Sequence, residues 1–239
     1  MKATKILQSL HNFSLSVLDW IFPPSCLGCG KEGVFICSKC FSDVNIVPAN
    51  VCNTCGNFTS KKGYCPQCAR YPISYSGFRA FAYYDGVIRK AIQQLKYHND
   101  LGIGRYLSEF ILKTYQRTTW DAEIIVPIPI GETKREQRGY NQAERLAKPL
   151  AEKLGLEYRP EVLIRIHERY SQVGLNVDER RANVRDAFMA RSKYVKGKKV
   201  LLVDDVFTSG ATMEAASREI IQAGANKVWC ITLAKVNHD

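Results

Sequence analysis

The sequence predicts an α/β fold: a parallel sheet flanked by helices over residues 72–239, preceded by a cysteine-rich module over 23–71 and an amphipathic helix over 1–22. Three observations carry this prediction. The short unbroken apolar runs Ile124-Ile125-Val126 and Val200-Leu201-Leu202-Val203 suit strands covered on both faces, as in a parallel sheet. Stretches with apolar residues at helical spacing alternate with these runs. Eight of the nine cysteines lie in four Cys-x-x-Cys pairs before residue 70, so a small separate module stands ahead of the sheet.

Residues 1–22 place Ile6, Leu7, Leu10, Val17, Leu18 and Ile21 among Gln8, Ser9, His11, Asn12 and Asp19, an amphipathic helix too interrupted to span a bilayer. Lys2 and Lys5 make its start basic; it either packs on the protein or a partner, or rests on a membrane surface. Pro23-Pro24 ends it. No cleavable signal is visible, so the cysteines are read as metal thiolates in a reducing cytoplasm rather than as disulfides. Cys26-x-x-Cys29 and Cys37-x-x-Cys40 are separated by seven residues, Cys52-x-x-Cys55 and Cys65-x-x-Cys68 by nine. Each pair can form a tight knuckle with both sulfurs on one ion, and two knuckles close a tetrahedral four-sulfur site. Two such sites mean structural zinc, which supplies folding energy that a segment this short and polar lacks. Iron–sulfur binding is the alternative metal chemistry, and interleaved pairing the alternative connectivity.

From about residue 72, Gly77 to Tyr84 alternates into a strand closed by Asp85-Gly86. Val87 to Lys96 and Ile103 to Gln116 read as helices. Gly102-Ile103-Gly104 lacks the third glycine and the preceding strand of a dinucleotide site. Glu123 to Pro129 is a buried-type strand that its prolines turn out of the sheet. The loop over 131–142 carries Lys134, Arg135 and Arg138, placed to hold a pyrophosphate; plain solvent exposure is the competing reading. A helix over Asn141–Leu154 ends at Gly155. A strand is expected over Arg159–Ile166. The polar stretch His167–Asn176, with Arg180, Arg181, Asn183 and Arg185 behind it, is a candidate lid.

The run Val200 to Thr212 organises the rest. Asp204 and Asp205 stand at the strand's carboxyl end, and Thr208-Ser209-Gly210-Ala211-Thr212 leads into a helix over Met213–Ile221. Amides at a helix start lack intrahelical partners and carry the positive end of the dipole, so this turn suits a phosphate. Gly210 allows close approach, and three hydroxyls add donors. The ionised aspartates only accept, so their partners are sugar hydroxyls or a divalent cation. A ligand with a terminal phosphate and a vicinal diol fits. The missing Gly-Lys-Ser/Thr excludes a Walker loop. Gly224 closes the helix and Lys227–Val236 forms the last strand. Cys230 reads as a core thiol, and the four histidines show no ligand spacing.

The net charge is +11, and residues 159–199 hold eleven Lys and Arg against five acids. A polyanionic ligand or nucleic acid fits that excess, as does a well-solvated basic surface.

The Asp-Asp turn resembles the PRPP-binding motif of type I phosphoribosyltransferases. With the four Cys-x-x-Cys pairs, Leu95-Lys96-Tyr97, Val126-Pro127-Ile128-Pro129, Arg138-Gly139-Tyr140-Asn141-Gln142 and Gln172 with Arg180, Asn183 and Phe188, the whole chain resembles the ComF/GntX family of late-competence proteins. Tyr140 stands where a Phe is usual and Ser209 where a second Thr is common, which keeps the hydroxyl. The resemblance implies a cytoplasmic protein with a type I phosphoribosyltransferase-like sheet that binds PRPP, or another ribose 5-phosphate compound, with Mg2+. It also implies association with incoming single-stranded DNA and with competence and recombination proteins. Asp204 and Asp205 would hold the ribose, Thr208 to Thr212 its 5-phosphate, and Lys96, Lys134 or Arg138 the departing pyrophosphate. Two functions compete: transfer of the phosphoribosyl group to an acceptor the sequence does not identify, and nucleic-acid binding or adaptor work with a vestigial or sensory pocket.

Overall fold

The computed structural model describes residues 23–59, 63–66, 68–70, 73–98, 101–166 and 187–237; the expected first helix and the candidate lid, with Gln172, Arg180 and Asn183, lie outside the described residues. The cysteine-rich module contains one short helix, α1 (Ser38–Ser42). Then follow β1 (Gly77–Tyr83), α2 (Gly86–Tyr97), α3 (Leu101–Gln116), β2 (Ile124–Pro127), α4 (Glu132–Arg138), α5 (Gln142–Leu154) and β3 (Glu157–Tyr158). The chain closes with β4 (Leu163–Arg165), β5 (Phe188–Ala190), α6 (Ser192–Val195), β6 (Lys199–Phe207), α7 (Ala211–Gln222) and β7 (Lys227–Lys235).

Five strands form one parallel sheet in the order β1-β7-β6-β2-β3. The unbroken apolar runs take its centre because both faces there are covered. Leu201, Val203, Ile125 and Ile231 pack toward α2, α3 and α5; Val200, Leu202, Ile124 and Cys230 pack toward α7 and the β4–β5 pair. The helices present the stripes their spacing predicts: Ile88, Ala91, Ile92 and Leu95 in α2 are all buried. Asn141 caps α5, its side chain accepting from the Ala143 amide at 3.0 Å, and Gly155 ends the helix at φ 66°.

Two expectations need correction. Residues 131–142 are not a loop: Glu132–Arg138 forms α4, stopped by Gly139 at φ 75°. Arg159–Ile166 is not one strand of the main sheet; a 3-10 turn over Pro160–Val162 leads into β4, which pairs antiparallel with β5 in a separate ribbon. The central strand carries both aspartates, as expected, and runs on to Phe207, paired with β7 in constant register. Sequence periodicity misses the extension to Phe207 because the acidic pair interrupts the apolar run while the backbone ladder goes on.

Gly104, set aside above as a nucleotide motif, has a packing reason. A Cβ there would lie 2.9 Å from the Arg145 carbonyl oxygen, where α3 crosses α5. In an open helix Gly→Ala gains about 1 kcal/mol; here the clash is with backbone. Gly104→Ala is therefore expected to destabilise the protein by about 1–2 kcal/mol, opposite in sign to the propensity effect, as read by urea unfolding.

Candidate functional site

The motifs that are scattered in the sequence converge at the carboxyl end of β6. In a strand, neighbouring side chains point to opposite faces, so Asp204 and Asp205 part company. Asp205 turns toward α2 and α5. Lys96, on the last turn of α2, brings Nζ within 2.6 Å of Asp205 Oδ2. That contact is the ion pair which compensates this buried oxygen. Gln142 Nε2, at the start of α5, donates to Asp205 Oδ1 at 3.3 Å, and Arg138 Nη1 donates to Gln142 Oε1 at 3.0 Å. The guanidinium of Arg138 also lies over the Tyr97 ring, 5.1 Å from its centroid. Asp204, on the α7 face, accepts from the Asp205 amide at 2.8 Å.

The Arg138-Gly139-Tyr140-Asn141-Gln142 run is the bracket of this site. Tyr140 donates its hydroxyl to the Leu95 carbonyl at 2.7 Å, which fixes the end of α2 that carries Lys96. Asn141 Nδ2 donates to the Ile128 carbonyl at 2.9 Å, which ties the bracket to the Pro-Ile-Pro exit of β2.

The two carboxyl groups are driven apart. Burial pushes Asp205 up, but the charge of Lys96 and hydrogen bonds from Asp204, Lys96 and Gln142 outweigh it and hold the group below the usual carboxylate range. Burial and the Asp205 charge hold Asp204 well above that range. Burial lowers the Lys96 ammonium, yet the aspartates win and keep it above its ordinary value. One fixed carboxylate, one carboxyl poised to ionise and one fixed cation sit side by side.

Beside them, Thr208, Ser209 and Gly210 turn into α7. Gly210 sits at φ 79°, and a Cβ there would meet Phe207 Cζ at 2.7 Å, so only glycine fits both the backbone and the ring below it. Ser209 Oγ accepts from the Ala211 amide at 3.5 Å. Thr208 is exposed, and Ser209 through Thr212 are half-buried, open to a ligand. Of the predicted cations, Lys96 reaches the acidic pair directly and Arg138 through Gln142; Lys134 is exposed midway along α4 and is not among the side chains described as reaching it. Sequence reasoning quoted Gln142 as part of a motif and missed it as a site residue; its signal is an amide that is buried in the first turn of α5. A cleft of about 680 Å³, lined in part by Arg79, Arg117, Trp120, Lys227 and Trp229, lies elsewhere and includes none of the predicted site residues.

The cysteines gather sequentially: Cys26, Cys29, Cys37 and Cys40 in one group, Cys52, Cys55, Cys65 and Cys68 in the other, all Sγ atoms of a group within 4.8 Å of one another. Cys29 and Cys37 Sγ are 3.6 Å apart, Cys55 and Cys65 Sγ 3.9 Å. A tetrahedron with Zn–S of about 2.3 Å has an edge of about 3.8 Å. Amides of Cys37 and Cys65 point at Cys26 and Cys52 Sγ at 3.3 and 3.2 Å, as thiolates require. Burial raises Cys26 and Cys52, but these backbone donors prevail and hold them at about 6 and about 7. The donor sets fit two structural zinc ions. Cys230 is a fully buried core thiol, pushed up by burial.

Residues 17–69 match the family model of the double zinc ribbon domain, and residues 140–239 that of the phosphoribosyl transferase domain. The class of protein is thus a double zinc ribbon joined to a phosphoribosyltransferase-type sheet. Three curated relatives match this chain over most of their length. Competence protein F of Haemophilus influenzae is 28% identical over 84% of this chain and 90% of that protein. DNA utilization protein YhgH of Escherichia coli is 28% identical over 82% of this chain and 89% of that protein. Competence protein ComFC of Bacillus subtilis is 24% identical over 84% of each. In sequence and extent the chain is similar to these competence and DNA utilization proteins of the ComF type.

The site makes opposite forecasts for its two aspartates. Asp204, raised when folded, favours the native state most below the ordinary aspartate pKa and costs stability as pH rises through its higher native value. Asp205, depressed when folded, contributes above the ordinary range and loses that contribution only as pH falls through its lower native value. Asp204→Asn should therefore stabilise the ligand-free protein at pH 7 by about 1–2 kcal/mol, with the gain shrinking toward pH 4. Asp205→Asn, which leaves Lys96 unpaired, should cost about 2–3 kcal/mol at pH 7. Urea titrations at several pH values measure both. For the ribbons, metal analysis should return two zinc ions per chain, with Cys40→Ser and Cys65→Ser each losing one and retaining the other.

Proposed function

We propose that this chain binds PRPP, with Mg2+, at the carboxyl end of β6 and acts in the cytoplasm in the handling of incoming single-stranded DNA during competence, with competence and recombination proteins as its partners. The observation that supports the pocket most is the Asp205 network. A buried carboxylate clamped by Lys96, Gln142 and, one step out, Arg138 lies on β6, the strand that runs into the turn before α7. The first-turn amides and the Thr208, Ser209 and Thr212 hydroxyls would take the 5-phosphate. Asp204, whose carboxyl resists ionisation in the unliganded site, would accept a ribose hydroxyl or share a divalent cation. Lys96 and Arg138 would face the pyrophosphate. Mg2+, when bound, supplies charge neutralisation of that pyrophosphate. The DNA-related role follows from what the relatives are called, and the net charge of +11 suits a polyanionic partner. Among the described residues, no helix is long and apolar enough to cross a membrane.

Two readings of this pocket part on turnover. As an enzyme the chain would release pyrophosphate as an acceptor displaces it at the anomeric carbon, the developing sugar cation being stabilised by the fixed carboxylate of Asp205. As a sensor it would bind PRPP and leave it intact while the basic surface engages DNA. Calorimetry with PRPP and Mg2+ is expected to show saturable heat in the wild type and a loss of at least about tenfold in affinity, roughly 1.4 kcal/mol, in Asp204→Asn and Asp205→Asn. Equal heats in all three proteins would remove the pocket assignment. Pyrophosphate release in the same samples distinguishes enzyme from sensor.

A further inference from the structure

The two ribbons do not occupy equivalent places. The first packs on the α2–α3 face: Phe41 stacks on Phe110 with centroids 5.5 Å apart, and Phe35 meets Tyr106 at 5.4 Å. The second is joined to the phosphate turn by two separate routes. In the first route, Gly56, the residue after Cys55, lies against Phe78 of β1, so that a Cβ would come within 2.8 Å of its ring. Phe78 stacks on Phe207, centroids 4.0 Å apart, and the Phe207 ring is what Gly210 rests upon. The buried ammonium of Lys235, on the strand beside Phe207, donates to Asn57 Oδ1 at 2.5 Å. In the second route, Tyr75 donates its hydroxyl to the Thr54 carbonyl, inside the knuckle, at 2.8 Å. The preceding Ser74 donates from its amide and hydroxyl to Glu214, in the first turn of α7, at 2.9 and 2.7 Å.

We infer that the second zinc knuckle positions the phosphate turn, through Phe78–Phe207 on one side and Tyr75–Ser74–Glu214 on the other, so that the geometry of the second ribbon, and not the first, sets affinity for the phosphorylated ligand. The ligand half of this inference rests on the PRPP reading; the positioning half does not. Both routes consist of packed rings and of buried or part-buried hydrogen bonds, which transmit displacement because a close-packed interior has little slack. Phe78, Phe207, Tyr75 and Lys235 are positioning residues, since none is described in contact with the carboxyl pair. Zinc in the second site has a use beyond holding its own ribbon together: it fixes the knuckle from which both routes start.

The two ribbons contain their own control. Gly30 follows Cys29 as Gly56 follows Cys55; both have positive φ, 79° and 65°, but a Cβ at Gly30 would meet nothing within 4 Å. Gly30→Ala and Gly56→Ala thus impose similar backbone strain on their knuckles, and only the second pushes on Phe78. In the full chain, with two zinc ions confirmed in each variant, amide hydrogen exchange over residues 209–213 should speed up by about tenfold in Gly56→Ala and stay within about twofold in Gly30→Ala. The calorimetric Kd for PRPP with Mg2+ should follow the same split. Equal exchange in the two variants overturns the positioning role. No PRPP heat in wild type overturns the PRPP reading alone, and the exchange experiment still decides the rest. Should Gly56→Ala lose zinc or fail to fold, Tyr75→Phe, which cuts only the hydroxyl link to Thr54, replaces it; unchanged exchange over 211–214 then overturns the inference.

Discussion

The fold is arranged around the ion pair between Lys96 and Asp205. Two adjacent carboxylates near the end of a covered central strand cannot both be left charged without compensation. Extension separates their side chains to opposite faces, and the protein answers them differently. On the helix face it supplies Lys96 and Gln142, and it fixes both suppliers: Tyr140 holds the end of α2, Asn141 caps α5, and Arg138 orients the Gln142 amide. On the other face Asp204 receives one backbone amide among its described hydrogen bonds and the field of its neighbour. An unliganded site with one satisfied and one resistant carboxyl gains from a partner that brings hydroxyl donors or positive charge.

Much of this was legible in the sequence, and the reasons for the remainder are physical. The apolar runs of β2 and β6, the stripe of α2, and both ends of α5 follow from rules that act over a few residues: double burial, helical period, an Asn cap and a Gly stop. The sulfur pairing was legible because each spacing permits a knuckle and a short hairpin, although the sequence left the interleaved alternative open. What escaped it depends on distance. The extension of β6 beyond Asp205 to Phe207 is imposed by pairing with β7, which local hydrophobicity does not report. The α4 helix was masked by a charge-rich composition that reads equally as loop. The assignment of Gln142 to Asp205 spans 63 positions of chain, and no local pattern announces it.

The zinc ribbons illustrate how a small module earns a fixed place on a larger one. Among the described residues, each lends apolar groups to the core of the adjacent domain. Leu27, Phe35, Ile36 and Phe41 extend the core on the α3 side; Val47 and Val51 extend that on the α7 side. Metal closure makes these contributions rigid, since four thiolates on one ion leave a short hairpin little freedom. The chain between the ribbons is tied down too: Asn45 donates to Asp85 at 2.7 Å, at the start of α2.

That placement bears on how the pocket reaches its working geometry. The Lys96 arm is anchored through Tyr140 to α2, on the face that the first ribbon covers. The turn over Thr208–Gly210 is anchored through Phe207 and Glu214 to elements that the second ribbon covers. The acidic pair sits on β6 between them, on a strand paired with β2 up to Val203 and with β7 through Phe207. A sugar phosphate that touched Lys96 and the turn together would span both faces of the sheet, with the α2 side and the α7 side each holding one end. Tight binding in such a site depends on both arms being held before the ligand arrives, because ordering them afterwards would cost conformational entropy that the contacts must offset.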